Sequence, residues 1–197
     1  SVMTLSSALL PPLVNIAVRD HLALQFGWEP VGYWQAVSKV SDAYLLFFTT
    51  AINIHYLPRL ASTHERAALL AELRTACRIL LPAVVVLAAV VYALRECGTR
   101  LRVTPDFAAA NALYGPQLVG DVIKIASFIL SYLMLAKAMT KLFVVSECVF
   151  AASYVVLVWV LAARFGLVGA MYAFALNYLL YLGFNLLVAR RYLGGLR

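Results

Sequence analysis

Six apolar runs, each about as long as the hydrocarbon core of a bilayer is thick, succeed one another along this chain of 197 residues. They fall at about 2–18, 31–57, 79–94, 116–136, 142–162 and 167–189. Lipid offers no partner to a backbone N–H or C=O, so runs of this kind must close their hydrogen bonds within themselves. An all-α integral membrane protein with six transmembrane helices is therefore expected. Composition agrees, with 64% of residues hydrophobic and 13% charged, where a soluble domain has roughly 45–50% and 25%. The net charge of +7 is not a nucleic-acid footprint. The basic residues lie mostly in the short connections between runs, where they act as topology signals.

Those connections divide unevenly. After the first, third and fifth runs come Arg19, then Arg95, Arg100 and Arg102, then Arg164. After the second, fourth and sixth come Arg59, Arg66, Arg74 and Arg78, then Lys137 and Lys141, then Arg190, Arg191 and Arg197. The excess on the second side predicts that both ends of the chain face the cytoplasm. The start at Ser1 has no basic region followed by a cleavage site, and it reads as the beginning of a fragment of a larger protein. Cys77, Cys97 and Cys148 are far apart, as are His21, His55 and His64. Neither a disulfide nor a metal nor another cofactor is expected. No nucleophile–base pair or glycine-rich phosphate loop is visible, which argues against an enzyme. Within 62–78, Leu69, Leu70, Leu73 and Cys77 form one apolar stripe, predicting an amphipathic helix at the membrane interface. Pro11 and Pro12 should kink or break the first helix, and Pro58 should mark the end of the second.

The second run is apolar yet polar along one side. At ~100° per residue, Gln35, Lys39, Asp42 and Asn53 fall within roughly 60° of one another, flanked by Ser38, Thr49 and Thr50. Ala36, Val40, Phe47 and Ala51 lie opposite. Ionisable groups at membrane depth usually face a bundle interior or a water-filled cavity. The fourth run repeats the pattern. Gln117, Asp121 and Lys124 have the four-then-three spacing of Gln35, Lys39 and Asp42 with the signs reversed, and Gly120, Ser131 and Tyr132 share their face. Two such helices facing one cavity would pair Lys39 with Asp121 and Asp42 with Lys124 as one electrostatic group. The alternatives are closure within each helix at i, i+3, or simple pinning of helix packing. Glu147 reads as a partner for Lys137 or Lys141, or as a proton-coupling carboxylate. Arg19 is the additional candidate to meet an anionic ligand. Asn15, Asn177 and Asn185 read as bridges between helices. Tyr172, Tyr178, Tyr181 and Tyr192 read as interfacial belt or packing.

GYWQAVSKVSDAYLLF, the LPRL at 57–60, and QLVGDVIKIASFILSYLMLAKA at 117–138 resemble the C-terminal half of the Wzx-type flippases, and among them the branch serving enterobacterial common antigen synthesis. The SEC at 146–148 and GLVGAMYAFALNYLLY at 166–181 extend the similarity over nearly all of the chain. The resemblance implies a MATE-like exporter fold of the MOP superfamily, with about twelve helices in two six-helix lobes, of which residues 1–197 are the second. It implies passage of undecaprenyl-diphosphate-linked oligosaccharide across the bacterial inner membrane. The implied partners are that substrate, membrane lipid, the missing N-terminal lobe, and a polysaccharide polymerase and chain-length regulator. Lys39 departs from the family, whose members can carry a small polar residue there. That points to substrate tuning or to local pairing with Asp42.

Overall fold

In the computed structural model the backbone is described for residues 2–100 and 107–195, and the side chains for 9–95 and 111–195. The side chains of Cys97, Arg100, Arg102 and Arg197 lie outside the described residues. The described chain is helical: α1 (Val2–Phe26), α2 (Trp28–Ala51), a π-helical turn (Ile52–Tyr56), α3 (Leu57–Ser62), α4 (Arg66–Arg100), α5 (Phe107–Ala136), α6 (Thr140–Phe165) and α7 (Leu167–Gly195). Six of these helices are long. Among the described residues four, α4 to α7, are both long and apolar enough to cross a membrane. The polar stripe singled out above makes α2 more mixed.

Three boundaries differ from expectation. Helix α1 continues through Pro11 and Pro12, so of the expected kink or break the break does not occur. Each proline forfeits one hydrogen bond and crowds one carbonyl. The stripe at 62–78 and the run at 79–94 form one helix, α4. No glycine or proline lies between Arg66 and Leu81, and Pro82 deprives only the Arg78 carbonyl of its donor. Pro58 does not stop the second rod. It sits in the first turn of α3, where its missing N–H is tolerated. The stop is Thr63, whose backbone is extended at φ −91°, ψ 125°.

Helix α5 is the hub. It packs on α2, α4 and α7 and touches α6, while α1 lies against α2 and α6. Half of its spanning window is buried, against 11% in α4 and in α6, so α5 is the core and those two helices are mostly outer surface. Ile79 and Val86 of α4 (both 63% exposed) and Val145 of α6 (59%) show how apolar that surface is. Burying α5 brings Leu118, Ile125, Ile129 and Leu133 against Ile52, Leu60 and Leu69. Two glycines allow close approach. A Cβ on Gly169 would overlap the Leu161 carbonyl of α6, and one on Gly120 would meet the Phe174 ring of α7 at 2.5 Å. The α6–α7 turn is Gly166, at φ 65°, a left-handed conformation that suits glycine.

Candidate functional site

Helix α2 has three faces. Val31, Trp34, Val37, Ser41, Tyr44, Leu45 and Phe48 are buried at helical spacing. Ala36, Val40 and Phe47 are exposed and apolar, as a lipid-facing side should be. Lys39, Asp42 and Asn53 are exposed and Gln35 half-buried, on a stripe rotated roughly 120° from the buried one. The polar stripe is thus left uncovered by the chain itself.

The polar residues of α5 take the opposite course. Gln117, Asp121, Ser127 and Ser131 are all buried, Asp121 completely. The Tyr44 hydroxyl donates to Asp121 Oδ2 at 2.5 Å, and Gln117 Nε2 donates to Oδ1 at 3.0 Å. Ser41 also lies against the carboxylate. Asp121 therefore fastens α5 to the buried face of α2. Lower down, Tyr132 donates to Asn53 Oδ1 (3.0 Å) and Tyr56 to the Ile129 carbonyl (3.1 Å). Asn53 sits in the π-helical turn and also donates to Thr49 O (2.9 Å). Such turns recur at functional sites in helical proteins.

The expected cross-pairs are not formed. Among the described residues the ion pairs are Arg19–Asp20 and Arg59–Glu72, so neither Lys39–Asp121, Asp42–Lys124 nor an i, i+3 closure occurs. The reason is the wheel position of Asp121, which turns toward the tyrosine of α2 and away from its polar stripe. Lys124 points elsewhere. Its ammonium lies 5.9, 5.6 and 5.5 Å from the ring centroids of Phe128, Phe174 and Tyr178, within cation–π range. These rings touch edge to face, Phe128 and Tyr178 at 6.2 Å and Phe174 and Tyr178 at 4.9 Å, with Tyr154 of α6 next in line at 6.2 Å from Phe174. Asp42 acts electrostatically on Tyr154 and Tyr178, and Tyr178 also feels Asp121 and Glu147. Asp42, Asp121 and Glu147 thus lie within electrostatic range of Tyr178, and the Lys124 ammonium lies near its ring. Lys39 remains exposed on α2.

Glu147 accepts from the Tyr181 hydroxyl at 3.0 Å, near Ser131 and Ser146, and does not pair with Lys137 or Lys141. Lys137 instead donates to the Thr63 and Ala61 carbonyls at the end of α3, where orphan carbonyls attract a cation. Partial burial there draws its pKa below the ordinary lysine value. Tyr181→Phe is expected to lower stability by about 1–2 kcal/mol, read as a lower thermal midpoint in detergent. An unchanged midpoint would mean that this bond does not hold α6 to α7.

Arg19 forks onto Asp20 at 3.1 and 3.0 Å and lies 6.0 Å from the ring of Trp28 at the start of α2. Asn185 bridges α7 to the Ser127 carbonyl at 3.4 Å. Asn177 is buried with its Oδ1 unpartnered, and Asn15 is exposed. Sequence reasoning missed Tyr44 and took Tyr178 and Tyr181 for packing. A usable signal was present, since Ser41, Tyr44 and Phe48 follow helical spacing on a face distinct from the charged one.

No family model matches the chain, and no solved structure matches it. Curated proteins do. The chain is 34% identical over 182 residues, 92% of its length, to the lipid III flippase of Escherichia coli K12. It matches the lipid III flippase of Shigella flexneri to the same extent. It spans 44% of the length of each. Over nearly its whole length, then, this chain resembles a Wzx-type flippase, and it corresponds to just under half of one.

Proposed function

We propose that the chain is the C-terminal lobe of a flippase that carries undecaprenyl-diphosphate-linked oligosaccharide, of the lipid III or O-antigen repeat type, from the cytoplasmic to the periplasmic leaflet of the inner membrane. The observation that carries this reading is the uncovered polar stripe of α2. Lipid does not tolerate Lys39, Asp42 and Asn53 on an outer face, so an N-terminal lobe and a water-filled cleft would stand opposite them. A diphosphate and its sugars could cross in that cleft while the polyprenyl tail stays in lipid. Lys124, with Lys39 and Arg19 nearer the rim, would supply positive potential. Gln35, Gln117 and Asn53 would offer hydrogen bonds to sugars. Asp42, Asp121 and Glu147 are the carboxylates for ion coupling. Access would alternate by rocking of two lobes, with both ends of this chain in the cytoplasm. A polymerase and a chain-length regulator would act on the delivered product.

Asp42→Asn and Lys124→Gln, each in the full-length protein at native level in a strain lacking its own flippase, are expected to reduce exported polysaccharide at least about tenfold, the scale of one charge-assisted contact. Wild-type export by both variants would remove the cluster from the transport path. One observation favours a second reading. Three carboxylates, Asp42, Asp121 and Glu147, act electrostatically on Tyr178, and a single ammonium, Lys124, lies near its ring, a balance that suits a cationic drug exported by a MATE-like protein. Efflux of ethidium from the same strain, lost with Asp42→Asn, would establish that reading in place of the first.

A further inference from the structure

The α6–α7 hairpin carries a groove at its open end. Its walls are Met139 and Leu142 at the start of α6 and Phe184, Leu187 and Val188 on α7, with Arg191 and Tyr192 at the mouth. Phe184, Leu187, Val188 and Arg191 are spaced i, i+3, i+4, i+7, so they form one face of α7 over two turns, roughly 10 Å. That face is apolar for most of its length and ends in a guanidinium. No carboxylate lines the groove. Among the described residues neither Arg191, Arg190 nor Lys141 enters an ion pair, and all three are exposed at this end of the hairpin.

An apolar channel that opens at the helix ends onto uncompensated cations matches the anatomy of a lipid: hydrocarbon below, phosphate at the interface. Guanidinium binds phosphate in a bidentate fork, and a tyrosine at headgroup level offers a further hydroxyl. A zwitterionic headgroup would bring its own cation toward Arg190, Arg191 and Lys141, so the charge pattern selects for net negative lipid. We propose that this groove is a binding site for an anionic glycerophospholipid of the bilayer, with one acyl chain along Leu142, Phe184 and Leu187 and the phosphate on Arg191. The site needs only that the chain lies in a membrane, and it is independent of what the protein transports.

The test is native mass spectrometry of the full-length protein released from nanodiscs of equal phosphatidylglycerol and phosphatidylcholine. Wild type is expected to retain phosphatidylglycerol preferentially, and Arg191→Gln to reduce that preference about fivefold, the effect of one interfacial cation. Leu187→Trp fills the groove without touching charge, and it should reduce retention of both lipids. Both positions are exposed, so thermal midpoints should stay at the wild-type value. Undiminished preference in Arg191→Gln, or undiminished retention in Leu187→Trp, overturns the proposal. So does complete displacement of phosphatidylglycerol by added polyprenyl phosphate, which would assign the groove to the isoprenoid lipid.

Discussion

Gly169→Leu is expected to abolish accumulation of folded protein in the membrane, and Gly169→Ala to reduce it severely. The added Cβ would overlap the Leu161 carbonyl and stand 2.7 Å from Ala162 N. These are backbone atoms of α6, which cannot rotate away. The two helices are tied three residues earlier by the Gly166 turn, where Gly169 N bonds Gly166 O at 2.9 Å, so the hairpin cannot open at that level alone. Overpacking by a few methylenes usually costs ~1–3 kcal/mol, and a clash with backbone belongs at or above the top of that range. Gly120→Ala provides the contrast. Its Cβ would meet the Phe174 ring at 2.5 Å and the Ala175 Cα at 3.3 Å; its closest neighbour is a side chain and not backbone, so a smaller loss is expected. Fluorescence-detected size exclusion with a temperature ramp ranks the variants. Gly169→Ala equal to wild type would show that α6 and α7 do not need this approach.

Asp121→Ala should be the most damaging change among the polar residues. It leaves the Tyr44 hydroxyl and the Gln117 amide buried without their acceptor, at about 1–3 kcal/mol each. It also removes a carboxylate that interacts electrostatically with Lys124. Asp121→Asn keeps the shape and an acceptor for Tyr44. It should fold close to wild type, yet fail in polysaccharide export if the ionisable group takes part in coupling. Stability and export thus separate in the pair. Loss of both in Asp121→Asn would make Asp121 a packing residue, and retention of both would exclude it from transport.

How far the sequence reaches is clear from these residues. The long helices follow from hydrophobic runs, because segments of that length in lipid have one way to satisfy their backbone. The polar stripe of α2 follows from spacing within one helix. Partnership across helices does not. Tyr44 and Asp121 are 77 residues apart, and their contact depends on how α2 crosses α5, which no wheel contains. A wheel also divides a helix into two sides, whereas α2 has three, so the side that packs was neither the charged one nor the one opposite. Glu147 was drawn toward Lys137 on proximity in sequence. In the fold, the carbonyls at the end of α3 claim that lysine.

The π-helical turn at Ile52–Tyr56 makes residue count a constraint in its own right. It accommodates one residue more than a regular helix would between the polar stripe and Leu60, which is fully buried. Loss of one residue there would restore regular winding and leave everything beyond it close to its present angle, because the wider turn is what absorbs the additional residue. Leu60 would keep its place in the core, and the end of α3 its place beside Lys137. A one-residue deletion in the regular winding of α2 has no such reserve and would turn everything beyond it by about 100°, so a deletion should be far better tolerated inside the π-helical turn than before it.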